Sequence, residues 1–293
     1  MVSSNNQPLI VIIGPTASGK TAASIELAKK IGGEIICADS RTVYRGMDIG
    51  TAKPTKEEQQ GIPHYLLDIV DPDETFTVAD FQKLAKEKIA EIRSRNNVPI
   101  IAGGTGLYVD SILFNYTFSV QSSEKVRTKF EKHTIEELWE YCEKNNIELP
   151  ENKYNKRYVI RSIERKGDSN HKRNELIDNC YVVGITTHKE KLQQRIAERA
   201  DYMFTDNLLK ETQRLSKKYN LTHESMTANI YPLIYKVNTG ELSLEEAKKQ
   251  FITLDWRLAK RQLTWFKRNP YIHWCSREEV VSTASSWLSA RQK

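Results

Sequence analysis

The sequence predicts an α/β fold: a parallel sheet flanked by helices, interrupted by a helical insertion. Three observations predict it. Short apolar runs alternate with segments of helical periodicity along the first 118 residues, as in successive βαβ units. The first run passes directly into a glycine-rich turn that opens a helix. From about Ser119 the chain turns rich in Glu, Lys, Arg and Asn, and strand-like runs return only at Cys180.

The elements follow in order. Leu9–Ile13 is a buried strand, and a helix runs from about Lys20 to Ile31 with Ile25 and Ala28 on one side. Glu34–Ala38 is a second strand, and His64–Val70 has the composition of a third. Thr77–Arg95 is helical, with Val78, Phe81, Leu84, Ala85 and Ile92 in phase. Val98–Ala102 is a strand, and Thr105–Phe114 is the next helix. Residues 119–178 form the insertion, helices only, with the polar loop Asp168–Arg173 as a solvated hinge. Cys180–Thr186 is a strand; the helix after it carries the stripe Leu192, Ile196, Ala200 and Met203. The last third reads as helical, and Leu244–Arg268 buries Ala247, Phe251, Leu254 and Leu258. The core is therefore 1–118 with 179–293.

Composition excludes several classes. Of 293 residues 39% are hydrophobic and 28% charged, which suits a folded globular chain and not a disordered one. The longest apolar run, Leu9–Ile13, is far short of a membrane span, and the first residues lack the charge and apolar core of a signal peptide. A cytoplasmic protein is expected. Cys37, Cys142, Cys180 and Cys275 form no C-x-x-C pair, so no zinc or redox motif is expected; Cys37 and Cys275 read as buried thiols. A net charge of +6 is compatible with nucleic acid without requiring it.

Gly14-Pro15-Thr16-Ala17-Ser18-Gly19-Lys20-Thr21 fits G-x-x-x-x-G-K-[ST] between a strand and a helix. The glycines let backbone N–H groups turn inward around phosphate oxygens, and the helix N-terminus adds partial positive charge. Lys20 supplies a full charge, and the Thr21 hydroxyl suits Mg²⁺. This makes the sheet P-loop NTPase-like. The motif names a cradle and not a reaction, so nucleotide hydrolysis, phosphoryl transfer and loss of diphosphate stay open. Ligands of such sheets sit beyond the carboxyl ends of the strands, where Asp39 and Gly103-Gly104-Thr105 also fall. Asp39 suits a metal-associated carboxylate, a general base or a cap; Gly103-Gly104 suits a tight turn and Thr105 an N-cap.

The blocks GPTASGKT (14–21), ADSRTVYRGMDIGTAKP (38–54), IPHYLLDIVDP (62–72), VADFQ (78–82), GGTGLYVDSI (103–112) and AKRQLTWFKR (259–268) together resemble the bacterial tRNA dimethylallyltransferases, or tRNA isopentenyltransferases. The resemblance spans most of the chain and is weakest in the insertion. It implies transfer of a dimethylallyl group from dimethylallyl diphosphate to N6 of adenosine 37 in tRNA, with Mg²⁺ and release of diphosphate. It implies that the P-loop holds the diphosphate, that Asp39 is the catalytic base and that Thr105 hydrogen-bonds near the reacting amine, with Lys20 on the leaving group. It implies tRNA contacts at Asp39, Ser40, Arg41, Thr42 and Thr105, at Arg127, and at Arg157, Tyr158, Val159, Ile160 and Arg161. Arg257, Lys260 and Arg261, at helical spacing, form a basic stripe for the same partner. The expected partners are an anticodon stem-loop with A36-A37 and dimethylallyl diphosphate, with no membrane, and the expected state is a monomer.

The chain departs from this pattern at Ile230-Tyr231-Pro232-Leu233, where relatives carry Gly-Tyr-basic-Gln/Glu and the basic residue helps bind diphosphate. Lys236 and Arg257 are candidate substitutes. Asn207 stands where glycine is common and tolerates the left-handed conformation. Rival readings are an adenylate isopentenyltransferase acting on free AMP, ADP or ATP, a tRNA-binding homologue with impaired turnover, and, more remotely, a P-loop kinase.

Overall fold

The computed structural model describes residues 7–118, 129–164 and 175–291. Its centre is a six-stranded, all-parallel sheet in the order β3-β2-β4-β1-β5-β6. The strands are β1 (Leu9–Ile13), β2 (Gly33–Cys37), β3 (His64–Tyr65), β4 (Val98–Gly103), β5 (Cys180–Ile185) and β6 (Ile272–Cys275). β1 lies between β4 and β5 and is buried along its whole length, which is why it reads as an unbroken apolar run rather than an alternating one. The helices of this unit are α1 (Lys20–Ile31), α2 (Lys56–Gln59), α3 (Val78–Ser94) and α4 (Gly106–Leu113), then after the insertion α7 (Lys189–Met203), α8 (Asp206–Lys218), α9 (Tyr231–Asn238), α10 (Leu244–Phe266) and α11 (Val280–Ser289).

Local sequence sets the helix ends. α3 and α10 open with capping boxes, Thr77 with Asp80 and Ser243 with Glu246. α1 packs with α11 on a sheet face through Ala23, Leu27, Ile10, Ile12, Ile35, Ile100, Val280 and Ala284. A second core joins the ends of α7 and α8 to α9 and α10 around Tyr231, Met203, Leu208, Leu215 and Phe251, and takes in Val43, Tyr44 and Met47. Burial at these densities supplies the bulk of the stability, roughly 25 cal/mol per Å² of apolar surface removed from water.

The chain divides into two compact units, 1–115 with 176–293, and 116–175. In the second, α5 (Ile135–Lys144) and α6 (Lys156–Glu164) pack through Leu138, Cys142, Val159, Ile160 and Ile163. Arg127 and the Asp168–Arg173 loop lie outside the described residues.

Three elements differ from the sequence reading. His64–Val70 is not one strand: Leu66 and Asp68 take left-handed φ values of 63° and 53°, which end β3 after two residues. The chain then doubles back, and Ile69 N–H donates to the Val43 carbonyl at 2.8 Å. The last third is not purely helical, because Ile272–Cys275 adds β6 at the sheet edge beside β5. That run is short, and only its first and last residues are buried. Asn207 lies inside α8 in ordinary helical geometry, so no left-handed residue is needed there. Cys37 and Cys275 are buried thiols as expected.

Candidate active site

The carboxyl ends of β1, β2 and β4 open into a cleft of about 740 Å³, walled by the P-loop, Asp39, Thr42 and Gly103-Gly104. Residues 14–19 turn sharply, with left-handed φ at Ala17 and Gly19. α1 starts with no side-chain cap and no acidic residue in its first turn. Its N-terminal amides and dipole are left to an anion. Lys20 Nζ folds back to donate to the Pro15 carbonyl at 2.7 Å. Burial lowers its pKa to about 8, with Asp39 pulling it up and Arg199 pushing it down. The Ser18 hydroxyl is buried without a partner at the heart of the loop.

Asp39 follows β2 and lines the cleft. Its Oδ1 accepts from the Arg41 amide at 2.8 Å and the Thr42 amide at 3.4 Å, an Asx turn that leaves Oδ2 unengaged in these bonds. Thr105 occupies the N-cap position of α4 but makes no capping bond. Its Oγ1 instead accepts from the Ser40 amide at 3.0 Å, so its hydroxyl holds the 39–42 turn. Gly103 permits this approach: a Cβ there would stand 2.0 Å from the Ala38 carbonyl oxygen. Cys37 also lines the cleft, but burial and Asp39 push its thiol up to about 12, which keeps it protonated and inert.

Helix α10 ties two strand ends together. The Thr16 amide donates to Gln262 Oε1 at 2.8 Å, and Gln262 Nε2 donates to the Gly104 carbonyl at 3.0 Å. Further cations come from α7. Arg199 donates to Thr16 Oγ1 and, at 3.3 Å, to Asp255, whose other oxygen accepts from Asn229 at 3.1 Å. Burial raises the pKa of Asp255, and Arg199 and Asn229 oppose it. Arg195 reaches the Ser18 carbonyl at 3.4 Å.

A family model described as IPP transferase matches residues 42–269, and a tRNA dimethylallyltransferase of Bacillus velezensis is 41% identical over 93% of this chain and 92% of its own. The chain belongs to the IPP transferase family. A tRNA dimethylallyltransferase of Bacillus anthracis is 43% identical over 92% of this chain and 90% of its own. The solved structure of a tRNA isopentenylpyrophosphate transferase from Bacillus halodurans is similar with a TM-score of 0.75 at 34% identity, covering 98% of both chains. A eukaryotic dimethylallyltransferase described as acting on tRNA shares the fold, with a TM-score of 0.78 at 23% identity over 98% of this chain and 78% of its own.

Within this IPP transferase the expected residues divide. The P-loop, Asp39 and the Gly-Gly turn meet in one cleft, and Arg261 also lines it. Ser40 and Thr105 stand half-buried beside the lining. Arg41 lines the cleft as well, and its guanidinium donates to the carbonyls of Glu224 and Ser225. Val159 and Ile160 are core residues of the insertion, 0% and 4% exposed, so their side chains face away from any partner; Arg157, Tyr158 and Arg161 flank them and are exposed. Arg257 and Lys260 are exposed on α10 outside the cleft lining, with Lys260 over the Trp256 ring. Lys236 is exposed and outside it too, as is Pro232 in the first turn of α9. Two cations that hydrogen-bond the P-loop are instead Arg195 and Arg199. Their signal was visible: they stand four apart on α7, off its apolar stripe.

Proposed function

We propose that the chain transfers a dimethylallyl group from dimethylallyl diphosphate to N6 of adenosine 37 in tRNA and releases diphosphate. The observation that carries this is Asp39 facing the same cleft as an anion cradle, in a chain of this family. The P-loop amides, Lys20, Arg195 and Arg199 hold the diphosphate as charge grows on the leaving oxygen. Asp39 accepts the N6 proton as the new C–N bond forms and the allylic C–O bond breaks. Thr105 sets the turn that presents Asp39. The flipped adenine needs no second nucleophile, since its own amine attacks.

The chain's residues fit Mg²⁺ arriving with the diphosphate. Among the described residues no cluster of three or more His, Cys, Asp or Glu is assembled for a metal, while the exposed Thr21 hydroxyl and Asp39 offer hard oxygen donors at the cleft. Bound there, Mg²⁺ would neutralise charge on the departing diphosphate. No helix among the described residues is long and apolar enough to cross a membrane.

The test is incubation of the protein with Mg²⁺, labelled dimethylallyl diphosphate, free AMP and an anticodon stem-loop bearing adenosines 36 and 37. Label in the stem-loop is expected. Label in free AMP instead, or tight stem-loop binding without label, overturns the reading.

A further inference from the structure

The loop Asp48–Pro54 walls the cleft through Gly50, Thr51, Ala52 and Pro54, yet no strand and no helix fixes it. Two buried ions do. At its far end Lys53 Nζ, 5% exposed, donates to the Tyr44 carbonyl at 2.8 Å, Asp48 at 2.7 Å and Asp68 at 2.5 Å. At its near end stands Glu211 of α8, 7% exposed. Its carboxylate accepts from three consecutive backbone amides, Asp48 at 3.1 Å, Ile49 at 2.9 Å and Gly50 at 2.9 Å, and from Tyr231 Oη at 2.8 Å. Three successive N–H groups converging on one anion form a nest. Burial, and then the Glu211 charge, raises the Tyr231 pKa well above the ordinary range, so its hydroxyl stays a donor. Gly50 lets the Tyr231 ring close on the loop: a Cβ there would stand 2.5 Å from the ring.

A buried carboxylate costs several kcal/mol to desolvate, and a packed apolar side chain would stabilise α8 without that cost. What the carboxylate adds is a fixed backbone at Asp48–Gly50, and the next residue meets the phosphate end of the cleft. The Thr51 carbonyl lies 3.5 Å from Arg199, the same guanidinium that touches Thr16 of the P-loop.

We propose that Glu211 is a positioning residue for the donor: by filling the amide nest at Asp48–Gly50 it fixes the cleft wall that keeps Arg199 over the P-loop. This rests on the diphosphate reading of the cleft, but its test reads binding and not turnover, so the two fail separately. The amide of Glu211→Gln offers one acceptor oxygen and sets an NH₂ against backbone N–H groups. Gly50→Ala disturbs the same contact from the other side and leaves the carboxylate intact.

The experiment is calorimetric titration of each full-length variant with dimethylallyl diphosphate, alongside amide hydrogen exchange. Both variants are expected to weaken binding roughly tenfold, the loss of one charge-assisted bond, and to speed exchange at residues 48–52. Tyr231→Phe removes one donor to the carboxylate but leaves the three amide bonds, so its loss of affinity should be smaller than that of either variant. If Glu211→Gln does not fold, Gly50→Ala carries the test. Wild-type affinity in the folded variants, or a fall only in the number of competent sites at unchanged affinity, overturns the proposal.

Discussion

Thr105 Oγ1 accepts the Ser40 amide hydrogen at 3.0 Å, so a side chain at the end of β4 holds the turn that follows β2. Thr105→Val keeps the shape and removes the acceptor. The Ser40 N–H is then unpaired and the Asp39 carboxylate less fixed. Single-turnover transfer should slow by roughly 10–100-fold, the effect of one to two misplaced bonds, while stem-loop affinity changes by no more than a few-fold.

Asp39→Asn removes the proton acceptor without changing size. Transfer should fall by roughly 10²–10⁴, and stem-loop binding should hold within a few-fold. A wild-type rate, read by label incorporation, would take the base role away from Asp39.

Lys20 titrates near pH 8 in the folded protein against 10.5 for an ordinary lysine. Between those values the unfolded chain binds more protons. The cost of the buried charge is therefore full below pH 8, and it is relieved as pH rises from 8 toward 10.5. A bound diphosphate favours the charged form. Affinity for inorganic diphosphate should thus fall as pH climbs through about 8, with proton uptake on binding. Lys20→Met should bind weakly, with a flatter dependence; calorimetry in buffers of different ionisation enthalpy measures both.

Arg199→Met leaves Asp255 buried without its cation, with Asn229 as its remaining hydrogen-bond partner. Donor affinity should drop about tenfold, and unfolding free energy should fall by about 2 kcal/mol at neutral pH. Because burial already raises the Asp255 pKa, acidification protonates the carboxylate and shrinks that loss. Arg199→Met combined with Asp255→Leu should recover stability and not donor binding.

In the insertion, Arg157→Ala with Arg161→Ala should weaken stem-loop binding and flatten its salt dependence by about two phosphate contacts, with thermal unfolding unchanged. Val159→Asp buries a charge in the insertion's small core and should melt that unit.

Much of this was legible in the sequence because local chemistry decided it. The P-loop needs only its own residues and the strand before it, and Thr77–Asp80 announces α3 from four positions. What was not legible depends on distant packing. Nothing near Arg41 shows that Glu224 and Ser225 will occupy it, and nothing near Gln262 shows that it will meet both Thr16 and Gly104. Val159 and Ile160 carried an apolar signal, but only the facing Leu138 and Cys142 show that they point inward. β6 was missed because an edge strand of four residues with two buried positions carries little periodicity.

The sheet order has a consequence for biosynthesis. β1 is central, but its β5 neighbour is encoded beyond the insertion, with Leu9 paired to Cys180. While the ribosome adds residues 116–175, one side of the most apolar strand has no partner, and an unpaired edge is a template for other chains. The insertion therefore lengthens the interval in which a nascent chain is exposed to misassembly. Faster elongation through it, or a chaperone on the β1 edge, would shorten or cover that interval.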